Sequence, residues 1–101
     1  MQIINTKIAD VKIIEPDVYG DDRGFFLETF SEERYRQALG IEASFVQDNH
    51  SRSQQHVLRG LHFQTDYPQG KLVRTVTGEI FDVVVDIRPE SPTFKQWVGV
   101  L

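Results

Sequence analysis

Turn-forming residues interrupt this chain about every ten residues, with short apolar or alternating runs between them. The turn-like stretches are PDVYGDDRG, ALG, YPQG, VTGE and RPESPT. Because evenly spaced short strands are typical of β-sandwiches and barrels, this pattern predicts a mostly β protein. Strands are predicted near residues 3–6, 11–15, 24–30, 44–50, 57–64, 71–77, 79–88 and 94–101.

The clearest local unit is KLVRTVTGEIFDVVVDIR, in which two alternating runs flank a turn at residues 77–79. Gly78 can adopt a positive φ there, so the pattern predicts a β-hairpin. One face of its second arm is entirely apolar and is expected to be core: Phe81, Val83, Val85 and Ile87.

One short helix is predicted near residues 31–39, in SEERYRQALG. Ser31 can cap its N-terminus, Glu32 and Glu33 suit the positive end of the helix dipole, and Gly40 can close the C-terminus. The final run, TFKQWVGVL, is apolar and strand-like with no turn after it. We therefore expect a sandwich that is incomplete at its C-terminal end, either because these residues are the front portion of a longer domain or because partner strands come from another subunit.

Composition excludes several classes of protein. A length of 101 residues suits one domain, and a formal charge of −4 argues against general nucleic-acid binding. The absence of cysteine rules out disulfides, a thiolate nucleophile and a Cys-based zinc site. No run approaches the ~18 apolar residues of a membrane span, and the N-terminus lacks the features of a signal peptide, so a cytoplasmic protein is expected.

Polar side chains interrupt several predicted strands, where an unpaired buried group costs several kcal/mol. They include two guanidiniums, an ammonium, amides, carboxylates and an imidazole: Arg23, Glu28, Gln47, Asn49, Arg59, His62, Lys71 and Asp82. Such a set suits an anionic, hydroxyl-rich small molecule such as a phosphorylated sugar. His62 could remove a carbon-bound proton next to a carbonyl, and Lys71 could stabilise the charge that develops on the carbonyl oxygen.

Each of these residues also has a structural interpretation. A strand histidine such as His62 is more often a hydrogen-bonded structural residue than a base, and Arg23 and Arg59 are more often members of surface ion pairs. The others could serve as ion-pair, turn or sheet-edge partners: Glu28, Gln47, Asn49, Lys71 and Asp82.

A metal site is a further alternative, because related β-barrels hold iron or zinc through a closely spaced His pair and a carboxylate. His50, His56 and His62 are six residues apart, and Gln64 stands two positions after His62. No His-x-His pair lies on one strand face, so the sequence predicts no protein-bound metal.

The stretch VLRGLHFQ places Gly60 between Arg59 and His62. Strict alternation would put these two side chains on opposite faces of a strand. We expect a bulge at Gly60 that turns one of them, so that both reach one pocket.

Four motifs in this order resemble the dTDP-4-dehydrorhamnose 3,5-epimerase family over essentially the whole chain: DDRGFFLETF, FVQDNHSRSQQHV, LRGLHFQ and GKLVRTVTGEIFDVVVDIRPESPTF. The resemblance implies an all-β, cupin-type jelly roll in which residues 1–101 are the N-terminal portion of a single epimerase domain. It also implies a homodimer with exchanged N-terminal strands, a dTDP-4-keto-6-deoxy sugar as ligand, and neither a metal nor a redox cofactor.

The implied reaction converts dTDP-4-dehydro-6-deoxy-D-glucose to dTDP-4-dehydro-L-rhamnose in dTDP-L-rhamnose biosynthesis. The 4-keto group acidifies the hydrogens on C3 and C5, so a base can remove each one and an acid can return it to the opposite face. By resemblance His62 is the proton acceptor, and Lys71 contacts the nucleotide-sugar and would stabilise the enolate. Asp82, a polar residue within the predicted hairpin, is a further candidate catalytic group. The implied substrate contacts are Arg23, Glu28, Gln47, Asp48, Asn49 and Arg59.

Some features of the family pattern have no match here. The family's proton-donating tyrosine, and an aspartate that pairs with its catalytic histidine, correspond to positions after residue 101, and Tyr19, Tyr35 and Tyr67 do not match that tyrosine. Residues 1–101 alone are expected to have lost or impaired epimerisation. Lys95 stands where the family pattern has glycine. The alternatives are a non-catalytic nucleotide-sugar-binding fragment, or a sibling 5-epimerase or ketoisomerase.

Overall fold

Six short strands and one helix make up the regular structure of the computed structural model, which describes residues 1–101. The strands pair as three separate antiparallel hairpins, β1 with β2, β3 with β4, and β5 with β6. In chain order the elements are β1 (Gln2–Asn5), β2 (Lys12–Glu15), β3 (Val18–Asp21), β4 (Gly24–Leu27), α1 (Glu32–Leu39), β5 (Asp82–Val85) and β6 (Trp97–Val100). This mostly-strand architecture with one short helix confirms the predicted fold class. No helix has the length and apolar character needed to cross a membrane.

Helix α1 begins and ends at the predicted residues. The Ser31 side chain accepts a hydrogen bond from the backbone N–H of Arg34 at 3.5 Å. At the other end Gly40 adopts a φ of 66°, and its N–H donates to the Arg36 carbonyl at 2.9 Å. These two caps satisfy backbone groups that an isolated short helix leaves unpaired, which explains why two turns suffice here.

An aromatic cluster attaches α1 to the chain on either side of it. Tyr35 is buried, its ring centroid lies 5.1 Å from that of Phe30, and Phe30 lies 5.7 Å from Phe45. The Tyr35 hydroxyl donates to the Thr29 carbonyl at 2.9 Å. Burial of the phenol, assisted by the negative charge of Glu28, raises the pKa of Tyr35.

A second cluster surrounds the buried carboxylate of Asp86. This carboxylate accepts hydrogen bonds from Arg88 Nε at 2.9 Å, Ser91 Oγ at 2.6 Å and Thr93 Oγ1 at 2.6 Å. Arg88 Nη1 also donates to Asp10 Oδ2 at 2.5 Å, across a separation of 78 residues. The network therefore joins the connection between β1 and β2 to the connection between β5 and β6.

The buried carboxylate predicts acid-sensitive stability. The Arg88 guanidinium, followed by the Ser91 and Thr93 hydroxyls, holds the pKa of Asp86 far below the ordinary value of about 3.9. A depressed folded-state pKa contributes stability above the unfolded-state pKa, and that contribution is lost as the pH falls below it. We expect the Tm to change little between about pH 7 and 5 and to fall below about pH 4.

Circular-dichroism melting of the protein and of an Asp86→Asn variant tests this expectation. The variant should melt at a lower temperature at pH 7, because an amide cannot accept all of these hydrogen bonds. Its Tm should also depend less on pH below about 4. Parallel acid profiles for the two proteins would show instead that other carboxylates control acid unfolding.

Three predicted strands are not formed, namely 44–50, 57–64 and 71–77. They lie within residues 42–81, which are exposed throughout and pair with no strand. A strand needs backbone partners and a cover for its apolar face, and this part of the structure supplies neither. At β3 a strand formed where none was predicted, since its residues lie within PDVYGDDRG, which was predicted as a turn.

The predicted hairpin around Gly78 is also wrong, because β5 pairs with β6 instead. Gly78 does adopt a positive φ of 87°. The competing pairing is extended beyond the strands by two backbone bonds, from Asp86 N–H to the Gln96 carbonyl at 2.9 Å and from Lys95 N–H to the Asp86 carbonyl at 2.8 Å. Together with the Asp86 network, these bonds favour β6 as the partner.

The expected core face of the second arm does not form. Val83 and Val85 are half-buried, but Phe81 is 63% exposed and Ile87 is also exposed. The Phe81 ring lies over Gly99, where a Cβ atom would come within 2.4 Å of the ring Cζ. Gly99 is therefore the residue that allows this ring to lie across the β5–β6 pair.

Lys95, which stands where the family pattern has glycine, adopts a backbone conformation that favours glycine. Its φ is 67°, in the left-handed region that glycine occupies without steric cost. This conformation explains why glycine suits the position in the family pattern, and lysine occupies it here with some backbone strain.

Much of the apolar surface remains uncovered. Only Ile8, Tyr35 and Asp86 are buried, and residues such as Val46 and Leu58 are almost fully exposed. The radius of gyration is 15.4 Å, compared with about 13 Å for a compact chain of this length. Uncovered apolar area of this extent is typical of interaction surfaces.

Candidate functional site

A concave surface of about 250 Å³ lies at the tip of the β3–β4 hairpin. Tyr19 and Phe26 face each other across the two strands, and Gly24 adopts a φ of 128° at the tip. The surface is lined by Tyr19, Asp21, Arg23, Gly24, Phe25 and Phe26. Aromatic rings beside a guanidinium can hold a ligand that combines a ring with an anionic group.

Arg23, a predicted substrate contact, forms an ion pair with Asp21. Its Nε lies 3.1 Å and its Nη2 lies 2.5 Å from Asp21 Oδ2, while its backbone N–H donates to Oδ1 at 2.8 Å. These hydrogen bonds lower the pKa of Asp21 and raise that of Arg23. The guanidinium therefore remains charged and held near the hairpin tip.

The next predicted contacts lie after β4 and after α1. The carboxylate of Glu28 lies 3.5 Å from Arg34 Nη1, in an exposed ion pair. Gln47 Nε2 donates to Asn49 Oδ1 at 3.1 Å, so these two amides do meet, with the exposed Asp48 between them in the chain.

Arg59 donates its hydrogen bonds to residues a few positions earlier in the chain, and to none of the other predicted site residues. Its Nε donates to Ser53 Oγ at 2.8 Å, and its Nη2 donates to the Arg52 carbonyl at 3.1 Å. These bonds close the loop over residues 52–59 and fix the backbone immediately before Gly60.

The three predicted catalytic residues are not joined to one another. His62 and Lys71 are exposed, while Asp82 is half-buried as the first residue of β5. No hydrogen bond or ion pair connects these three side chains. The chain also contains no group of three or more His, Cys, Asp or Glu side chains arranged to hold a metal ion.

Gly60 changes the chain direction before His62, although not through the predicted bulge. A bulge requires a strand pair, and residues 57–64 lie outside every strand. Gly60 adopts a φ of 106°, and a Cβ atom added to it would lie 3.3 Å from His62 Nδ1. The imidazole thus packs against the backbone of Gly60, in the space that the side chain of any other residue would occupy.

Gly60→Ala is expected to displace the His62 ring. It should also strain the backbone at a positive φ, at a cost of about 1–3 kcal/mol in the free energy of unfolding. Gly78→Ala is the matched control, because Gly78 also has a positive φ, of 87°, but nothing lies within 4 Å of its added Cβ. The NMR chemical shifts of the His62 ring protons should change in the Gly60 variant only. An unchanged His62 signal in the Gly60 variant would mean that this contact does not orient the ring.

Sequence reasoning did not identify two groups of residues that hold the charged side chains in place. They are Asp21, which holds Arg23, and the network of Asp86, Arg88, Ser91 and Thr93. The usable signal was Asp-x-Arg, which occurs at 21–23 and 86–88. An aspartate in a turn accepts the backbone N–H two residues later, and this places the arginine side chain beside it.

The hairpins and the capped helix define a cupin-type β protein, and two solved structures match them closely. One is a dTDP-6-deoxy-D-glucose-3,5-epimerase from Legionella pneumophila in complex with dTDP-4-keto-L-rhamnose, which is 64% identical with a TM-score of 0.94. The other is a dTDP-4-dehydrorhamnose 3,5-epimerase from Bacillus anthracis with TDP and PPi bound, which is 46% identical with a TM-score of 0.90. Each match covers 98% of this chain, and respectively 53% and 57% of the other.

Sequence comparison gives the particular family. Curated dTDP-4-dehydrorhamnose 3,5-epimerases from Shigella flexneri and Escherichia coli are 59% and 60% identical over 99% and 100% of this chain. A model of the dTDP-4-dehydrorhamnose 3,5-epimerase family matches residues 5–101. This chain belongs to that family. It spans about half the length of these relatives, 56% and 55% respectively.

Proposed function

We propose that this chain is the N-terminal portion of an epimerase domain that acts on dTDP-4-dehydro-6-deoxy-D-glucose. The observation that carries the proposal is the 64% identity and TM-score of 0.94 to an epimerase in complex with dTDP-4-keto-L-rhamnose. Similarity at this level extends along nearly the whole chain, and residues 5–101, which the family model matches, span the stretches that carry the candidate site residues.

The proposed chemistry begins with His62 as the base. Its imidazole removes the proton on the carbon next to the 4-keto group, and the electron pair moves into an enolate. Lys71 stabilises the negative charge on the enolate oxygen, and Asp82 is the third candidate catalytic group. Return of a proton from water to the opposite face, with release of the first proton from His62 to solvent, inverts the carbon without any change of oxidation state.

Substrate binding is assigned to guanidinium, amide and carboxylate side chains within residues 23–28, 47–49 and 59. Arg23 and Arg59 neutralise the diphosphate, because guanidinium groups bind phosphate oxygens through paired N–H donors. The side chains of Glu28, Gln47, Asp48 and Asn49 provide partners for the sugar hydroxyl groups. The contact between Gln47 and Asn49 supports this assignment, because it places two amides side by side.

Homodimerisation through the N-terminal strands is also proposed. Each two-stranded sheet leaves a free edge on both strands, and such edges pair readily with another chain. Extensive uncovered apolar surface around residues 42–81 supports an assembly that covers it.

A deuterium wash-in experiment tests the proposed reaction. Folded protein is incubated with dTDP-4-dehydro-6-deoxy-D-glucose in D₂O, and NMR follows the proton signals of C3 and C5. Exchange requires only that His62 removes the proton and that a solvent deuteron returns, so we expect both signals to disappear as deuterium enters, even where net epimerisation by residues 1–101 is impaired. Absence of exchange with folded protein would overturn catalysis by this chain, and calorimetric binding without exchange would identify a nucleotide-sugar-binding fragment. Exchange at C5 alone, or a rearranged keto group in the product, would identify a 5-epimerase or a ketoisomerase.

A further inference from the structure

The Asp-x-Arg sequence occurs twice, and both copies adopt the same local geometry. At 86–88 the aspartate Oδ1 accepts the Arg88 backbone N–H at 3.1 Å and Nε at 2.9 Å. At 21–23 the aspartate Oδ1 accepts the Arg23 backbone N–H at 2.8 Å and Nε at 3.2 Å. In each copy Nη2 donates to the other carboxylate oxygen of the same aspartate.

The two copies differ at the far end of the guanidinium. Arg88 Nη1 donates to the carboxylate of Asp10 at 2.5 Å, and Nη2 also reaches Ser91 Oγ at 3.4 Å. Arg23 donates only to Asp21, through Nε and Nη2, and its side chain is 90% exposed. Of the five guanidinium donors, both on Nη1 and one on Nη2 therefore remain available at Arg23.

We propose that Asp21 is a positioning residue that holds Arg23 with this Nη1 edge presented to a phosphate oxygen of the nucleotide diphosphate. The phosphate oxygen would take the place at Arg23 that the Asp10 carboxylate takes at Arg88. This inference rests on the proposed function, because it assigns the diphosphate contact to Arg23. Arg23 lines the concave surface together with Tyr19 and Phe26, so the part of the ligand beyond the phosphate can lie against these aromatic rings.

Two effects of Asp21 on anion binding oppose each other. Its negative charge weakens the attraction of an anion, but solvent and salt screen this effect at an exposed position. Its hydrogen bonds remove the rotational freedom of a long side chain before the ligand arrives, which lowers the entropic cost of binding. We infer that the second effect is larger, because Asp21 restrains Arg23 at the backbone and at two guanidinium nitrogens.

Asp22 provides a matched control in the same turn. It carries the same charge as Asp21 and lies next to Arg23 in the chain, but it makes no hydrogen bond to the guanidinium, whose acceptors belong to Asp21 alone. Asp22→Asn therefore measures the effect of charge removal, whereas Asp21→Asn removes the charge and the guanidinium restraint together. Asn at position 21 retains an oxygen that can accept the Arg23 backbone N–H, so the turn is preserved.

The test titrates the protein and both variants with dTDP by calorimetry and with thymidine by NMR. We expect Asp21→Asn to weaken dTDP binding about 5-fold, with thymidine binding and Tm unchanged, and Asp22→Asn to bind dTDP as tightly as the unaltered protein or slightly more tightly. Equal weakening toward both ligands would indicate a structural role and overturn the inference. Unchanged or tighter dTDP binding by Asp21→Asn would also overturn it, while the proposed function would stand. An unaltered protein that binds no dTDP would contradict both.

Discussion

Replacing His62 by Asn is expected to abolish the exchange of solvent deuterium into C3 and C5 of dTDP-4-dehydro-6-deoxy-D-glucose. Asparagine is close to histidine in reach but has no basic nitrogen, so it cannot accept the proton. Loss of a positioned general base lowers the rate by about 10²–10⁴-fold, which would place exchange at the background level. Because the exposed imidazole makes no hydrogen bond in this structure, the variant should fold normally.

His56→Asn is the control for this experiment. His56 is also exposed, and its φ of 68° is a conformation that asparagine adopts readily. The control should therefore keep its fold and its full exchange rate. Substantial exchange by the His62 variant would show that another group removes the protons, whereas loss of exchange in both variants would indicate a general effect of histidine removal.

Replacing Tyr35 by Ala is expected to lower the free energy of unfolding by about 3 kcal/mol, the low end for a large aromatic residue. Tyr35 is one of only three buried residues, and its ring packs against Phe30 while its hydroxyl reaches the Thr29 carbonyl. The value lies at the low end because exposed surroundings can collapse partly into the space left by the ring. A loss of this size is a large share of the stability of a small domain.

Two further variants separate the parts of this effect. Tyr35→Phe keeps the ring and removes one hydrogen bond, so it should cost about 1 kcal/mol. Tyr67→Ala removes a tyrosine that is 89% exposed, and its effect should lie within about 0.5 kcal/mol. Urea denaturation followed by circular dichroism measures all three. Equal losses for Tyr35→Ala and Tyr67→Ala would mean that the aromatic cluster does not stabilise α1.

The helix and the chemical types of the candidate site were predictable because they depend on local chemistry. Ser31 and Gly40 satisfy helix ends that lie within one turn of them, so their neighbours in sequence suffice to locate α1. The arginines, amides and imidazole were recognised because polar groups are costly inside apolar strands. The positive φ of Gly78 followed from a similarly local argument, the need for a turn between two alternating runs.

Strand pairing and the partners of the charged groups were not predictable in this way. The arm that contains β5 could pair with residues 71–77 or with β6, and alternation fits either partner. Long-range bonds at Asp86 and the link from Arg88 to Asp10 accompany the pairing with β6. Sequence reasoning offered Arg23 as a ligand contact or as a member of a surface ion pair but did not identify its partner, which the structure shows to be Asp21.

By itself, the sequence determined a mostly β chain, one capped helix, the family and the kinds of chemical group available for catalysis. The strand pattern and the helix depend on residue type and on spacing within a few positions, the range over which backbone propensity acts, whereas the family is indicated by the order of four motifs along the chain. Only the tertiary structure decided which strands pair, which carboxylate is buried and which edge of Arg23 is available to a ligand. Those outcomes depend on hydrogen bonds and burial between residues distant in the chain, and their energies arise only once the chain has brought such residues together.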